Sequence, residues 1–344
     1  MWFFKKKESD VPKRSMVSIR MEAIGGQGAN SAGKILAEAA VLGMKYTGNH
    51  FSSFGSEKRG SPVKSYVRFS TQHKAIRSAS AIQTPDLLVI FHENLLHSHP
   101  EILDGVTADT DILINTKLSP RDLNFPTGST FRNIITIDAL TLANKNQCGL
   151  NAVLLGAISR LIPEVDTEIL LQTLSRFFSR LPEKIQTQNR AGFGTGNKHL
   201  DENYYKDEQS NLSTESHAIL PRMGWKNSPL GGLISNPGNS VLKNHSASRK
   251  GFMPRFLSDI CFHCGFCDMV CPDFCFVWKQ DTHNKIPPKL QGIDYQYCKG
   301  CQKCVMACPV QALVLTPEDE IPESEKQTKL FPNLAPLKTG DSSS

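Results

Sequence analysis

Apolar and polar positions form short runs of two kinds in the first half of the chain. Residues Val17 to Ile24 alternate weakly and end in glycines, the pattern of a strand entering a tight turn. Ser31 to Met44 is rich in Ala and Leu at helical spacing and predicts a helix. Strands are expected at Lys45 to His50, Val63 to Phe69, Leu87 to Phe91, Asp111 to Asn115 and Asn133 to Ile137. Leu87 to Phe91 is nearly all apolar, as a central strand buried on both faces should be. Helices are expected at Asn94 to Leu103, Leu150 to Leu161 and Thr167 to Arg180, with Asp166 placed to cap the last. Strands alternating with helices predict an α/β domain over residues 17–190, an open, mostly parallel sheet with flanking helices.

The texture changes at Gln186. Asn, Ser, Lys and Gly dominate to Arg249, so residues 191–253 read as a polar linker and a turn-rich arm. Gly224-Trp225-Lys226, Pro229-Leu230-Gly231-Gly232 and Pro237-Gly238-Asn239-Ser240 fix turns, while Trp225 calls for a surface to bury against. Residues 254–316 form an internal repeat of cysteine loop plus short hairpin, expected as a small α+β domain. Residues 1–16 read as an N-terminal extension and 317–344 as a C-terminal tail.

Two motifs in the first domain come close to nucleotide signatures. Gly28-x4-Gly33-Lys34 has the phosphate-loop spacing, but Ile35 stands where a magnesium-binding hydroxyl is needed. Gly26-x-Gly28 lacks the third glycine of a dinucleotide turn, Ser31 standing in its place. Two readings remain: a tight turn with close backbone approach, or a helix N-terminus with Gln27, Asn30 and Ser31 facing an anion or a partner. His92 and Glu93 lie at a strand's C-terminal end, where α/β sheets gather ligands; a solvated loop pair is the plainer account. Cys148 has no histidine partner and reads as core. No catalytic constellation is visible.

The cysteines carry the chemistry. One run is Cys261-x2-Cys264-x2-Cys267-x3-Cys271-Pro272, the other Cys298-x2-Cys301-x2-Cys304-x3-Cys308-Pro309. Each is the run of a two-cluster bacterial ferredoxin, whose fourth cysteine serves the other cluster. Cys261, Cys264, Cys267 and Cys308 are therefore expected to hold one [4Fe-4S] cluster, and Cys298, Cys301, Cys304 and Cys271 the second. Paired zinc sites are the alternative, but zinc ribbons use separated CxxC pairs. Two clusters in one small repeat imply electron transfer, with the aromatics Phe262, Phe266, Phe274, Phe276 and Trp278 packed around them. Cys275 is left over and reads as buried rather than ligating.

Composition narrows the setting. The chain has 344 residues, too many for a single small core, and a net charge of +6 with no basic block long enough to argue for nucleic acid. No run of 18 apolar residues exists, so no transmembrane helix is expected, and the start lacks the apolar stretch of a signal peptide. Nine of the ten cysteines lie between 261 and 308, and oxygen-labile clusters point to a reducing cytoplasm.

Ile24-Gly25-Gly26-Gln27-Gly28, the following Ala32-Gly33-Lys34-Ile35-Leu36-Ala37-Glu38-Ala39-Ala40, and Phe54-Gly55-x-Glu57-x-Arg59-Gly60-x-Pro62-Val63 resemble the gamma subunit of pyruvate:ferredoxin oxidoreductase and related 2-oxoacid:ferredoxin oxidoreductases. Ser56 and Lys58 are mild departures. The part from Gly224-Trp225 to the second cysteine run resembles the delta subunit, so the chain looks like a natural gamma–delta fusion. The resemblance implies oxidative decarboxylation of a 2-oxoacid, most simply pyruvate, with coenzyme A and ferredoxin. Thiamine diphosphate, Mg2+ and a further [4Fe-4S] cluster would lie on the beta-type partner, with an alpha-type partner closing the active site. This chain would relay electrons to external ferredoxin or flavodoxin and perform no carbon chemistry alone. The alternatives are a stand-alone ferredoxin-like carrier fused to an α/β module, a subunit whose clusters only staple the fold, or the same complex acting on 2-oxoglutarate, oxalate or branched-chain 2-oxoacids.

Overall fold

The computed structural model describes residues 14–54, 61–123, 125, 130–200, 231, 243–279 and 288–332. It divides into two compact units, Met1–Ser213 and Thr214–Ser344. The Phe54 to Pro62 motif between residues 55 and 60, the arm around Trp225, and most of the N-terminal extension lie outside the described residues.

The first unit is built on six strands: β1 (Met16–Ile24), β2 (Thr47–Phe54), β3 (Pro62–Ser70), β4 (Leu87–Ile90), β5 (Asp111–Asn115) and β6 (Asn133–Ile137). Their order is β2-β3-β1-β4-β5-β6. β1, β4, β5 and β6 run parallel, whereas β3 pairs antiparallel with both β1 and β2. The sheet is thus mixed rather than mostly parallel. The cause is local: β3 follows β2 directly in the chain and pairs with it antiparallel, whereas β1 reaches β2 by a crossover through α1 and so runs parallel to it. β2 also runs on to Phe54, past the expected end at His50, because β3 supplies the ladder for Ser52 and Ser53.

The helices are α1 (Ala29–Glu38, continuing through a wider turn at Ala39–Gly43), the short α2 (Leu95–Ser98), α3 (Ala139–Asn146), α4 (Leu150–Leu161), α5 (Thr167–Phe177) and α6 (Glu183–His199). The expected helix from Asn94 to Leu103 breaks after α2, since Pro100 cannot continue the ladder. Asp166 caps α5, accepting from the Ile169 N–H at 2.9 Å. One core joins Ile19, Met21, Val67, Val89 and Ile135 of the sheet to Leu36, Leu154, Leu170 and Phe193 of the helices. α1 and α4 to α6 therefore gather on one face. The other face is covered by loops and α2, fastened by Arg20, which donates to the carbonyls of Ile102 (2.6 Å), Asp104 (2.9 Å), Ile82 and Gln83 (both 3.2 Å).

α6 lies in the polar stretch and passes residue 190. Its sequence is polar because only a narrow side is covered, by Asn189, Gly192, Phe193 and Gly196. A Cβ on Gly156 would sit 2.0 Å from the Phe193 carbonyl, and one on Gly196 2.0 Å from the Val153 carbonyl, so α4 and α6 meet backbone to backbone.

The second unit holds two small sheets. β7 (Phe252–Phe256) pairs with β10 (Leu313–Pro317), and β8 (Phe276–Lys279) with β9 (Lys289–Ile293). The short helices α7 (Phe266–Met269) and α8 (Lys303–Ala307) carry the cysteine runs. Residues beyond Thr316 also pack here: Ile321 is buried, and Glu325 takes a two-point bond from Arg255 at 2.6 and 2.9 Å. Among the described residues, no helix is long and apolar enough to cross a membrane.

Candidate metal centres

The two cysteine runs fold alike, 37 residues apart (261 to 298, 271 to 308). In the first, His263 (φ 61°) and Gly265 (φ 82°) are left-handed; in the second, Gly300 (φ 66°) and Gln302 (φ 67°) occupy the same places. Left-handed residues between ordinary ones curl the chain so that successive amides face inward, the nest geometry that suits an anion. The His263 N–H accordingly donates to the Cys261 Sγ at 3.4 Å, and the Gly300 N–H to Cys298. Each run then enters its helix, placing Cys267 on α7 and Cys304 on α8. After the helix the chain turns at Pro272 or Pro309 and passes a third left-handed residue, Phe274 (φ 48°) or Gln311 (φ 57°). The next amide, of Cys275 or Ala312, donates back to the sulfur of Cys271 or Cys308, in the second case at 3.1 Å.

This winding brings the fourth cysteine of each run to the other run. One cavity is lined by Cys261, Cys264, Cys267 and Cys308. The other is lined by Cys298, Cys301, Cys304 and Cys271, with Cys275 beside them. Four thiols converging on a cavity, with backbone amides already aimed at several sulfurs, are a donor set that fits an anionic iron–sulfur cluster. Among the described residues, no three His, Cys, Asp or Glu side chains converge closely enough for a single metal ion.

The surroundings push the thiols in opposite directions. Burial pushes the Cys267 thiol up to about 11 and the Cys304 thiol up to about 12. Both would be neutral without metal and must release protons as iron binds. Cys271 is held down to about 6, first by the hydrogen bond from Cys275, and Cys298 is lowered by the same neighbour. The Cys275 thiol is itself driven upward by those contacts. It is 3 % exposed.

Positions equivalent in the repeat differ around the cavities. Phe262 and Val310 line the first, while Lys299 and Asp273, paired at 3.1 Å, line the second. Sequence reading missed this pair, although superposing the two runs at the 37-residue offset reveals it. It also missed Arg249, taken as the end of a linker. Arg249 is buried, donates to the Cys298 carbonyl at 2.9 Å and pairs with Glu318, anchoring the second loop.

Lys34 is exposed on α1, and Gln27 folds back to accept the Ile24 N–H at 2.8 Å. Asn30 accepts from the Ser52 hydroxyl at 2.8 Å. His50 lies beside Ser65 (3.0 Å) and Ser52 (3.2 Å), lowered to about 4 by burial and then by Lys34, so it is neutral. Glu93, raised by burial and the nearby Asp138, bonds the Thr116 hydroxyl. Cys148 packs against the core and is pushed up to about 11 by burial.

Residues 18–198 match the model of the family described as pyruvate ferredoxin/flavodoxin oxidoreductase, over half of the chain. The chain belongs to this family. Residues 260–326 match the 4Fe-4S dicluster domain. The first half is 32% identical over 183 residues to pyruvate synthase subunit PorC of Thermotoga maritima, spanning 52% of this chain and 91% of that one. It is also 32% identical over 182 residues to the common gamma subunit of the pyruvate/ketoisovalerate oxidoreductases of Pyrococcus abyssi, 52% of this chain and 96% of that one. A further 101 residues are 34% identical to pyruvate synthase subunit PorD of Thermotoga maritima, covering 29% of this chain and 94% of that one. This family member is therefore a gamma–delta type subunit of a 2-oxoacid:ferredoxin oxidoreductase, with an α/β domain followed by a small α+β dicluster domain.

Proposed function

We propose that this chain is the electron-relay subunit of a CoA-dependent pyruvate:ferredoxin oxidoreductase and carries two [4Fe-4S] clusters. Cys261, Cys264, Cys267 and Cys308 hold one; Cys298, Cys301, Cys304 and Cys271 hold the other. The observation that carries the reading is the pair of four-cysteine cavities, each completed by the other run's last cysteine. A bound cluster supplies reversible storage of one electron. The chain's own residues fix four sulfurs per cavity, donate amides to them, and exclude water with Phe256, Trp278 and Leu290 around the first. The names of the relatives support pyruvate as the substrate of the complex.

Carbon chemistry then belongs to alpha- and beta-type partners, which bring thiamine diphosphate, Mg2+ and a further cluster, with coenzyme A as a substrate of the complex. The isolated chain is expected to release no CO2 from any 2-oxoacid. The deciding experiment is single-turnover mixing of the whole complex carrying Cys261→Ser in this chain. Release of labelled CO2 from pyruvate should persist while ferredoxin reduction falls sharply. Equal loss of both, with assembly and the remaining cluster intact, would place this subunit in the active site instead.

A further inference from the structure

The repeat contains its own comparison. At the 37-residue offset Cys275 is equivalent to Ala312, and both amides donate to the last cysteine of their run. Ala312 lines the first cavity and offers only a methyl group. Cys275 lines the second, its Sγ 3.5 Å from the Cys271 Sγ and in hydrogen-bonding contact with Cys298 as well. Both neighbours belong to the second cysteine set. Once those sulfurs are bound to iron they have no proton, so the one proton of the group sits on Cys275 and points at a thiolate. The lining charges differ in the same sense, Lys299 and Asp273 standing where the first cavity has Phe262 and Val310.

We propose that the Cys275 thiol donates a hydrogen bond to the sulfurs of the cluster held by Cys298, Cys301, Cys304 and Cys271, making that cluster the more easily reduced of the two. This rests on the ligation proposed above. Reduction adds one electron to the cluster, from [4Fe-4S]2+ to [4Fe-4S]1+; the donor is the 2-oxoacid in the complex, or dithionite in a titration. The S–H bond stays intact and no proton is transferred. The added charge spreads onto the sulfurs, so a donor aimed at them stabilises the reduced form more than the oxidised form. The first cluster has Ala312 at the equivalent place, and the His263 Nδ1 that lies 3.7 Å from the Cys261 Sγ accepts the Leu290 N–H at 3.2 Å and so donates nothing to that sulfur. The two electron sites of one repeat are thereby made unequal, which gives the relay a direction.

The test is an EPR-monitored redox titration of the full chain with dithionite, with iron and sulfide counted first. Cys275→Ala should lower the midpoint of the second cluster, shifting its reduced-to-oxidised ratio roughly tenfold at fixed potential, about 59 mV for one electron. The first cluster should not move. Cys275→Ser keeps a donor and should stay near the unmodified chain. Ala312→Cys should raise the first cluster. A Cys275→Ala change that moves neither cluster, or both alike, overturns the proposal. So does loss of half the iron in Cys275→Ala, which would make Cys275 a ligand. A half-loaded unmodified chain would instead overturn the ligation itself. If Cys275→Ala fails to fold, the infrared S–H stretch of cluster-loaded Cys148→Ala protein decides: a band at the hydrogen-bonded position supports the proposal, and one at the free-thiol position overturns it.

Discussion

Gly33 of α1 faces Ser65 of β3 so closely that a Cβ on the glycine would lie 2.2 Å from the Ser65 Oγ, with the His50 ring 2.6 Å away. Ser65 and His50 bond each other at 3.0 Å, so neither can retreat without breaking that contact. Gly33 serves helix-to-sheet packing in a motif that only imitates a phosphate loop. Gly33→Ala should destabilise the first unit by about 1–3 kcal/mol, as overpacking does, read from denaturant unfolding of the full chain. Calorimetric titration with ATP or NAD(P) should show no micromolar binding in either protein. Micromolar ATP binding abolished by Lys34→Ala would return the motif to a nucleotide role.

The contact between α4 and α6 is less forgiving, because the neighbour of Gly156 is a backbone carbonyl rather than a side chain. Gly156→Ala should therefore cost more than Gly33→Ala, and Gly194→Ala, with open space beside it, should cost nothing measurable or stabilise slightly. Equal effects at Gly156 and Gly194 would mean that α6 does not pack as described.

Glu22 is buried on β1, with Arg20 Nε at 3.3 Å and Lys64 Nζ at 3.4 Å. Burial pushes it up to about 7, against the pull of Lys64 and Arg20. The folded state thus holds this proton more tightly than the unfolded state. Its contribution to stability is greatest below the unfolded carboxylate range and is lost as pH rises towards 7, where the slope ends. Glu22→Gln should remove that slope, seen as a difference between the two pH–stability curves. Parallel curves would contradict the burial account. Lys64→Met should push Glu22 higher still and lower stability at neutral pH.

Cluster loading tests the crossed ligation. Anaerobically prepared chain should contain about eight iron and about eight sulfide, two cubanes' worth. Cys271→Ser should damage the cluster of the second run more than that of the first, as judged by EPR of the reduced variant. Selective loss of the first run's cluster, or a stoichiometric zinc load, would contradict it.

Much of this protein is legible without coordinates. The cysteine spacing is local information: intervals of two and three residues fix which sulfurs one loop can present, whatever the rest does. The strand Leu87–Ile90 and the isoleucine–leucine centre of Asp111–Asn115 announce themselves because burial on both faces leaves an unbroken apolar run. Tertiary structure decided the rest, wherever meaning depended on a distant partner. The serines of β2 are a strand only because β3 pairs with them, and the polar α6 is a helix of the first unit because its glycines admit α4. β3 turns antiparallel beside β1, which no periodicity encodes, since alternation is blind to strand direction. Cys275 looked like a surplus thiol. Only the winding of two runs around each other sets it against Cys298 and gives its counterpart, Ala312, the other cavity.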